Sequence, residues 1–253
     1  MVHDIQKAGM WKRIAAWMFD MILLSVLAVG CCWLLSAVVG YDGYSDSVSA
    51  AYDKYAAEYG VSFAITQEDY DAMTETERLN YDAAYEALVA DDEAIYAYNM
   101  MINLTMVIAT IGILLAVMGW EFVVPLLLGN GQTLGKKIFG LCLIRNDGVK
   151  VNNMQLFTRT LLGKFTIETM IPVYMVLMLY WGIIGLTGTL ILLAVLIAQI
   201  VCLAVTRHNC AIHDLLAGTV VVDMSSQTIF RTTEDLIAYQ KKAAAERASR
   251  QAY

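Results

Sequence analysis

The chain has 253 residues, of which 58% are hydrophobic and only 16% charged, and its mean hydropathy is +0.56. A soluble domain carries about 25% charged residues, so this composition argues against an ordinary water-soluble enzyme or binding module. The formal net charge of −7 gives no basis for a nucleic-acid partner.

The first apolar run, Ile14–Val39, is broken only by Asp20 and the small polar residues Ser25 and Ser36. About 20 mostly apolar residues cross a bilayer, so residues 1–40 predict a short tail and a first span. Lys12 and Arg13 at its mouth also suit the start of a signal peptide. An h-region, however, has about 7–15 residues and would not hold an Asp, so the run reads as a retained span.

Residues 41–99 are acidic, with fourteen Asp or Glu against Lys54 and Arg78. Thr74 with Glu77, and Thr66 with Asp69, have capping-box spacing. Tyr52, Tyr55 and Tyr59, like Tyr81, Tyr85 and Leu88, recur at helical spacing. This predicts an acidic helical insertion whose tyrosines pack its own core, anchor it at an interface, or meet an outside partner.

Residues 100–128 predict a second span. In the connection 129–165, "FGLCLIR" followed by "NDG" reads as a strand and turn, and "GVKV" could return as a second strand. "GTVVVD" at Gly218–Asp223 is a further β run that could cover an edge of that hairpin. Residues Asn153–Lys164 alternate apolar and basic positions as an interfacial amphipathic helix would. The glycines of "GNGQTLGKK" do not keep phosphate-loop spacing and read as a turn.

Residues 166–206 are about twice a span in length, with glycines at Trp181–Leu190 to turn on. They predict a transmembrane hairpin and bring the count to four spans. Residues 207–224 hold His213-Asp214 and the short strand, and 225–253 form a charged helical tail capped by Thr232 and Asp235. Lys and Arg gather in the N-terminus, in 129–165 and after Arg207. By the positive-inside rule both termini and the second connection are cytoplasmic, and 41–99 lies outside. The expected fold is thus an all-α membrane protein with four transmembrane helices, an outer helical insertion and a small cytoplasmic β element, placed in the plasma membrane.

Each span offers a polar side chain in its cytoplasmic half: Asp20, Glu121, Glu168 with Lys164 at i−4, and Gln199. A carboxylate at the bilayer centre costs ~2.5–3.5 kcal/mol on insertion scales, and such groups face the bundle interior or a watery cavity. Burial disfavours the charged carboxylate, whereas a cation or Arg13 favours it; that opposition is what proton–cation exchange needs. Arg13 and Asp20 are two helical turns apart on one face. Structural Arg13–Asp20 and Lys164–Glu168 ion pairs that fix helix register explain the same residues. Asp214 could cap the following turn or pair with Arg13 or Lys136. The five cysteines and His213 have no metal-site spacing. No cofactor, metal or catalytic constellation is expected.

The segments "WKRIAAWMFDMIL", "GQTLGKKIFGLCLIRNDG" and "HDLLAGTVVV" resemble, in that order, the RDD family of bacterial membrane proteins. The resemblance implies that Arg13 and Asp20 are the family's first Arg and Asp, and Asp214 its second Asp. It does not extend to residues 41–99 or beyond Asp223. Some members of that family resemble cation or proton antiporters. Two functions follow. In one, the chain moves a small cation or proton through a cluster of Arg13, Asp20, Glu121, Glu168 and Asp214, as a homo-oligomer in the lipid bilayer. In the other, it is a non-transporting scaffold whose acidic subdomain binds a partner.

Overall fold

Apolar stretches make the three longest helices of the described chain, which the computed structural model shows for residues 5–174 and 185–251. Helix α1 spans Met10–Val39, α2 Tyr41–Tyr59, α3 Gln67–Ala72, α4 Glu75–Ala90 and α5 Asp92–Met118. A π-helical segment at Gly119–Val123 leads into α6 at Val124–Leu128. Short helix α7 (Leu134–Ile138), strand β1 (Leu141–Arg145), α8 (Asn153–Thr158) and a second π-helical segment, Arg159–Glu168, follow. The chain continues through α9 (Gly185–Val205), α10 (Ile212–Ala217), β2 (Thr219–Asp223) and α11 (Thr233–Gln251).

Among the described residues three helices are long and apolar enough to cross a membrane: Met10–Val39, Asp92–Leu128 and Gly188–Val205. The tight turn expected in Trp181–Leu190 falls partly on residues 181–184, outside the described residues; from Gly185 the chain is already helical. Among the described residues the protein is therefore mostly helical, with three candidate spans and a two-stranded sheet; the first arm of the expected hairpin falls partly on residues 175–180, outside the described residues.

Two compact units divide the chain, residues 30–112 and residues 1–29 with 113–253. In the first, both capping boxes form. Thr66 and Asp69 exchange hydrogen bonds at the start of α3, as do Thr74 and Glu77 at the start of α4. Phe63 gathers the tyrosines, lying 5.3 Å from Tyr52 and 5.7 Å from Tyr81 by ring centroid. Tyr55 donates to Asp91 at 3.0 Å. The faces of Tyr85, Tyr96 and Tyr98 remain exposed.

In the second unit β1 pairs antiparallel with β2, Leu143 opposite Val221. This is the edge-covering pairing expected of "GTVVVD", while the expected return strand of the local hairpin is reduced to a short turn with one bridge. Val149 and Lys150 make only single bridges, to Phe230 and Ile144. The reason lies in burial on both faces. Leu141, Leu143 and Val221 pack with Ala8, Ala16, Val151 and Leu156. Cys142, Ile144, Val220 and Val222 pack with Cys210. A strand covered on two sides reads as continuous apolar residues, which "TVVV" supplies and "GVKV" does not. Each fully buried aliphatic side chain contributes about 1.5–3 kcal/mol.

Cys142 has no exposed surface, and burial pushes its thiol up to about 12, with nearby Asp223 adding to the effect. The thiolate is the reactive form. In folded, detergent-solubilised protein, Cys142 is expected to resist maleimide and to react only once the sheet is unfolded. Peptide mapping by mass spectrometry checks this; rapid labelling of the folded chain contradicts the buried ladder.

Candidate functional site

Pro125 starts the site. A proline has no amide hydrogen, so the carbonyl four residues earlier, that of Glu121, loses its helical donor. The helix widens here into the π segment, where the Val124 amide donates to Gly119, five residues back. The freed Glu121 carbonyl accepts a hydrogen bond from Thr160 Oγ1 at 3.0 Å. Thr160 belongs to the second π segment, so two irregular helices are joined by a bond that regular helices would not offer. Single π turns inside helices often mark functional positions.

The Glu121 side chain is buried and meets three cations. Lys164 Nζ contacts its Oε1. Arg159 NH1 and Lys136 Nζ lie 3.6 and 3.7 Å from Oε2, and Oε2 itself accepts no hydrogen bond.

Asp20, also buried, is held differently from the Arg13 pair the helical spacing suggested. Its Oδ1 accepts from the Gly135 amide at 2.9 Å and from Trp120 Nε1 at 3.2 Å, and its Oδ2 from Thr133 Oγ1 at 2.5 Å. This contact requires glycine at 135. A Cβ there would run into the Ala16 carbonyl and stand 2.8 Å from the Asp20 carboxylate. Thr133 caps α7 by accepting the Lys136 amide at 3.4 Å, and it also accepts Lys136 Nζ at 3.3 Å.

Arg159, 3% exposed, is the hub. Its Nε donates to Asp214 Oδ1 at 3.0 Å and its NH2 to His213 Nε2 at 2.8 Å. Arginine has only donors, so His213 Nε2 must be the acceptor and the ring neutral, with the proton on Nδ1 facing Glu168. Glu168 also accepts from Gln199 Nε2 at 3.0 Å, while Gln199 Oε1 takes the Ile212 amide at 3.0 Å. Asp214 additionally faces Arg13 NH2 at 3.6 Å and the Ala211 amide at 3.3 Å. Arg13 NH1 donates to the Asn209 carbonyl at 2.6 Å. Helix α10 comes this close because Gly163 lies under it; a Cβ at 163 would stand 2.5 Å from that of His213.

Charges balance across the cluster. Asp20, Glu121, Glu168 and Asp214 are matched in number by Arg13, Lys136, Arg159 and Lys164. Burial works against the Asp214 charge, but the Arg159 and Arg13 guanidinium groups outweigh it and hold its carboxyl well below the usual range. Burial and then Arg159 push His213 below its ordinary value, against the pull of Asp214 and Glu168. Burial brings the Lys136 ammonium down to about 8, with Glu121 opposing.

All five residues singled out in the sequence, Arg13, Asp20, Glu121, Glu168 and Asp214, lie in this network. Their pairings differ from the local ones suggested by spacing. Lys164 faces Glu121 rather than Glu168, and Arg13 faces Asp214 rather than Asp20. The segment 153–164 does not lie with its bases on a surface: α8 passes into the π segment at Arg159, which turns that side chain inward. Sequence reasoning did not select Arg159, Thr133, Trp120 or His213 as site residues. Pro125, four residues after Glu121, was the one local signal of a freed carbonyl. Among the described residues no group of three or more His, Cys, Asp or Glu is placed to hold a metal.

Set against known protein families, the chain matches the RDD family over residues 7–218. Searches of curated proteins and of solved structures gave no match.

Removing one member of a buried ion network leaves its partners uncompensated and costs about 3–5 kcal/mol. Arg159→Met is expected to destabilise the protein by about that much, read as denaturant or thermal unfolding in detergent; an unchanged midpoint contradicts the hub. His213 gives a pH signature. Its folded value lies below the unfolded one, so the unfolded chain binds more protons between them. Stability is therefore full above about pH 6.5, the unfolded value, and falls as the pH drops through that window. Melting curves from pH 7.5 to 5.5 should show this slope, and His213→Gln should flatten it.

Proposed function

The chain belongs to the RDD family, and from that premise we propose that it is a four-span membrane protein that moves protons through the buried polar cluster. Both termini and residues 129–165 face the cytoplasm, and residues 41–99 lie outside, as the placement of Lys and Arg supports. Trp11 and Trp33, 84% and 70% exposed, are 22 residues apart on α1, about 33 Å along a helix axis. That spacing matches a hydrocarbon core of about 30 Å, at whose edges Trp is favoured. Asp20 then sits about 13 Å in from Trp11.

The observation that carries the reading is the linkage of buried carboxylates from separate segments into one network of hydrogen bonds and ion pairs. Groups of this kind in membranes mark ion pathways. The sequence left a small cation and a proton equally open, and charge balance favours the proton. A metal cation entering beside Glu121 would meet Lys136, Arg159 and Lys164. A proton can enter at one end of the cluster as another leaves at the far end, so the balance of charge is kept without a new counter-ion. Four spans offer little room for a conduit in one copy, so the working unit is a homo-oligomer.

The same charge balance favours a second reading, a membrane scaffold in which the cluster locks the segments together and the acidic unit binds a partner. Asp20→Asn in proteoliposomes separates the two. Transport expects collapse of an imposed pH gradient by wild type and at least a tenfold slower rate in the variant, measured on variant protein that remains folded. The scaffold expects no gradient collapse by wild type and loss of folding in the variant. Well-folded wild type that moves no protons sinks the transport reading.

A further inference from the structure

We propose that Lys136 and Thr133 form a proton relay that joins Glu121 to Asp20. This deepens the transport reading and rests on it. The groups stand in one line. Lys136 Nζ lies 3.7 Å from Glu121 Oε2 and donates to Thr133 Oγ1 at 3.3 Å, and Thr133 donates to Asp20 Oδ2 at 2.5 Å. A lysine movement of about 0.5 Å brings the first gap to hydrogen-bond length. Thr133 is both acceptor and donor, as a proton hop through a hydroxyl requires.

The transfer balances. The Lys136 ammonium gives a proton to Thr133 Oγ1 as the threonine hydroxyl proton passes to Asp20 Oδ2. A neutral amine and a neutral carboxylic acid result. The amine then takes a proton that has entered from cytoplasmic water on the Lys164 side and passed through Glu121 Oε2, which restores the ammonium and leaves Glu121 the carboxylate it is at rest. One proton has moved from Glu121 to Asp20, and Lys136 and Thr133 are as they began.

The other neighbours cannot do this. Arg159 reaches the same Oε2 at 3.6 Å, but a guanidinium does not release its proton in proteins. Trp120 and the Gly135 amide hold Asp20 Oδ1 as fixed donors. Lys164, on Glu121 Oε1, is the more exposed lysine, 16% of its side chain against 10% for Lys136, and marks the side from which Glu121 is loaded. Burial eases proton loss from Lys136, bringing its ammonium to about 8.

The test uses the full chain in proteoliposomes, with an internal pH dye and an imposed pH gradient. Lys136→Arg keeps the positive charge beside Glu121 and cannot give up a proton. Thr133→Val keeps volume and loses the hydroxyl; Thr133→Ser keeps the hydroxyl. The relay expects at least a tenfold loss of proton flux in Lys136→Arg and Thr133→Val and recovery in Thr133→Ser, each measured on folded protein, with Thr133→Val melting lower because it also loses the α7 cap and an Asp20 partner. A purely structural role for the two side chains expects near-normal flux in Lys136→Arg. Wild-type flux in either folded variant overturns the relay while leaving the transport reading intact. Absence of flux in folded wild type defeats the transport reading itself, and the relay with it. Should Lys136→Arg fail to fold, the Thr133→Val and Thr133→Ser pair decides.

Discussion

One guanidinium ties the core of this protein together. Arg159 reaches Asp214 and His213 on α10 and Glu121 on the widened end of the helix begun by α5. A buried arginine is tolerable only if its donors are used and its charge is answered. Arg159 meets both conditions by drawing carboxylates from opposite parts of the sequence. Each carboxylate then needs its own remaining partners, which brings in Arg13, Lys136 and Lys164. The cluster is stable as a set and costly in pieces, because its buried members, Asp20, Glu121, Lys136, Arg159 and Asp214, depend on partners within it.

Backbone irregularity makes the set possible. Pro125 frees the Glu121 carbonyl, and the π segment turns it toward Thr160. Gly135 admits the Asp20 carboxylate to the amide of its own residue, and Gly163 admits α10 to the second π segment. Regular helices with ordinary side chains at these positions would hold the segments too far apart for hydrogen bonds. The small sheet supports the same arrangement through its connection to α10. Its β2 strand follows α10 directly, so the ladder with β1 anchors His213 and Asp214 in place. The network needs such anchoring, since a hydrogen bond weakens sharply over a few tenths of an ångström.

His213 shows how geometry assigns chemistry within the cluster. Its ring faces a donor that cannot accept, so only one tautomer fits, and protonation would set a new N–H against the arginine. The buried pair Asp20 and Thr133 is likewise directional: the threonine proton points to the carboxylate because the lysine already supplies one to the threonine oxygen. A polar cluster in which donors and acceptors alternate is rigid in its heavy atoms and still free to exchange hydrogens.

Local features were legible in the residues themselves. Apolar blocks announced the long helices, the Thr-x-x-Asp and Thr-x-x-Glu spacings announced helix starts that form, and "TVVV" carried the burial that made it a strand. These depend on neighbours within a few positions, where backbone geometry is known in advance. The charged residues of the site were legible as types, since an Asp in a span must have a reason to be there. Their partners were not. Helical spacing offers only i and i+4 neighbours, and it suggested Arg13 with Asp20 and Lys164 with Glu168. The folded chain joined Arg13 to Asp214, Lys164 to Glu121 and Asp20 to Thr133, across separations of 201, 43 and 113 residues. Long flexible side chains choose partners by which segments the apolar packing brings together. Only the tertiary structure decides that, because nothing local distinguishes one buried carboxylate from another.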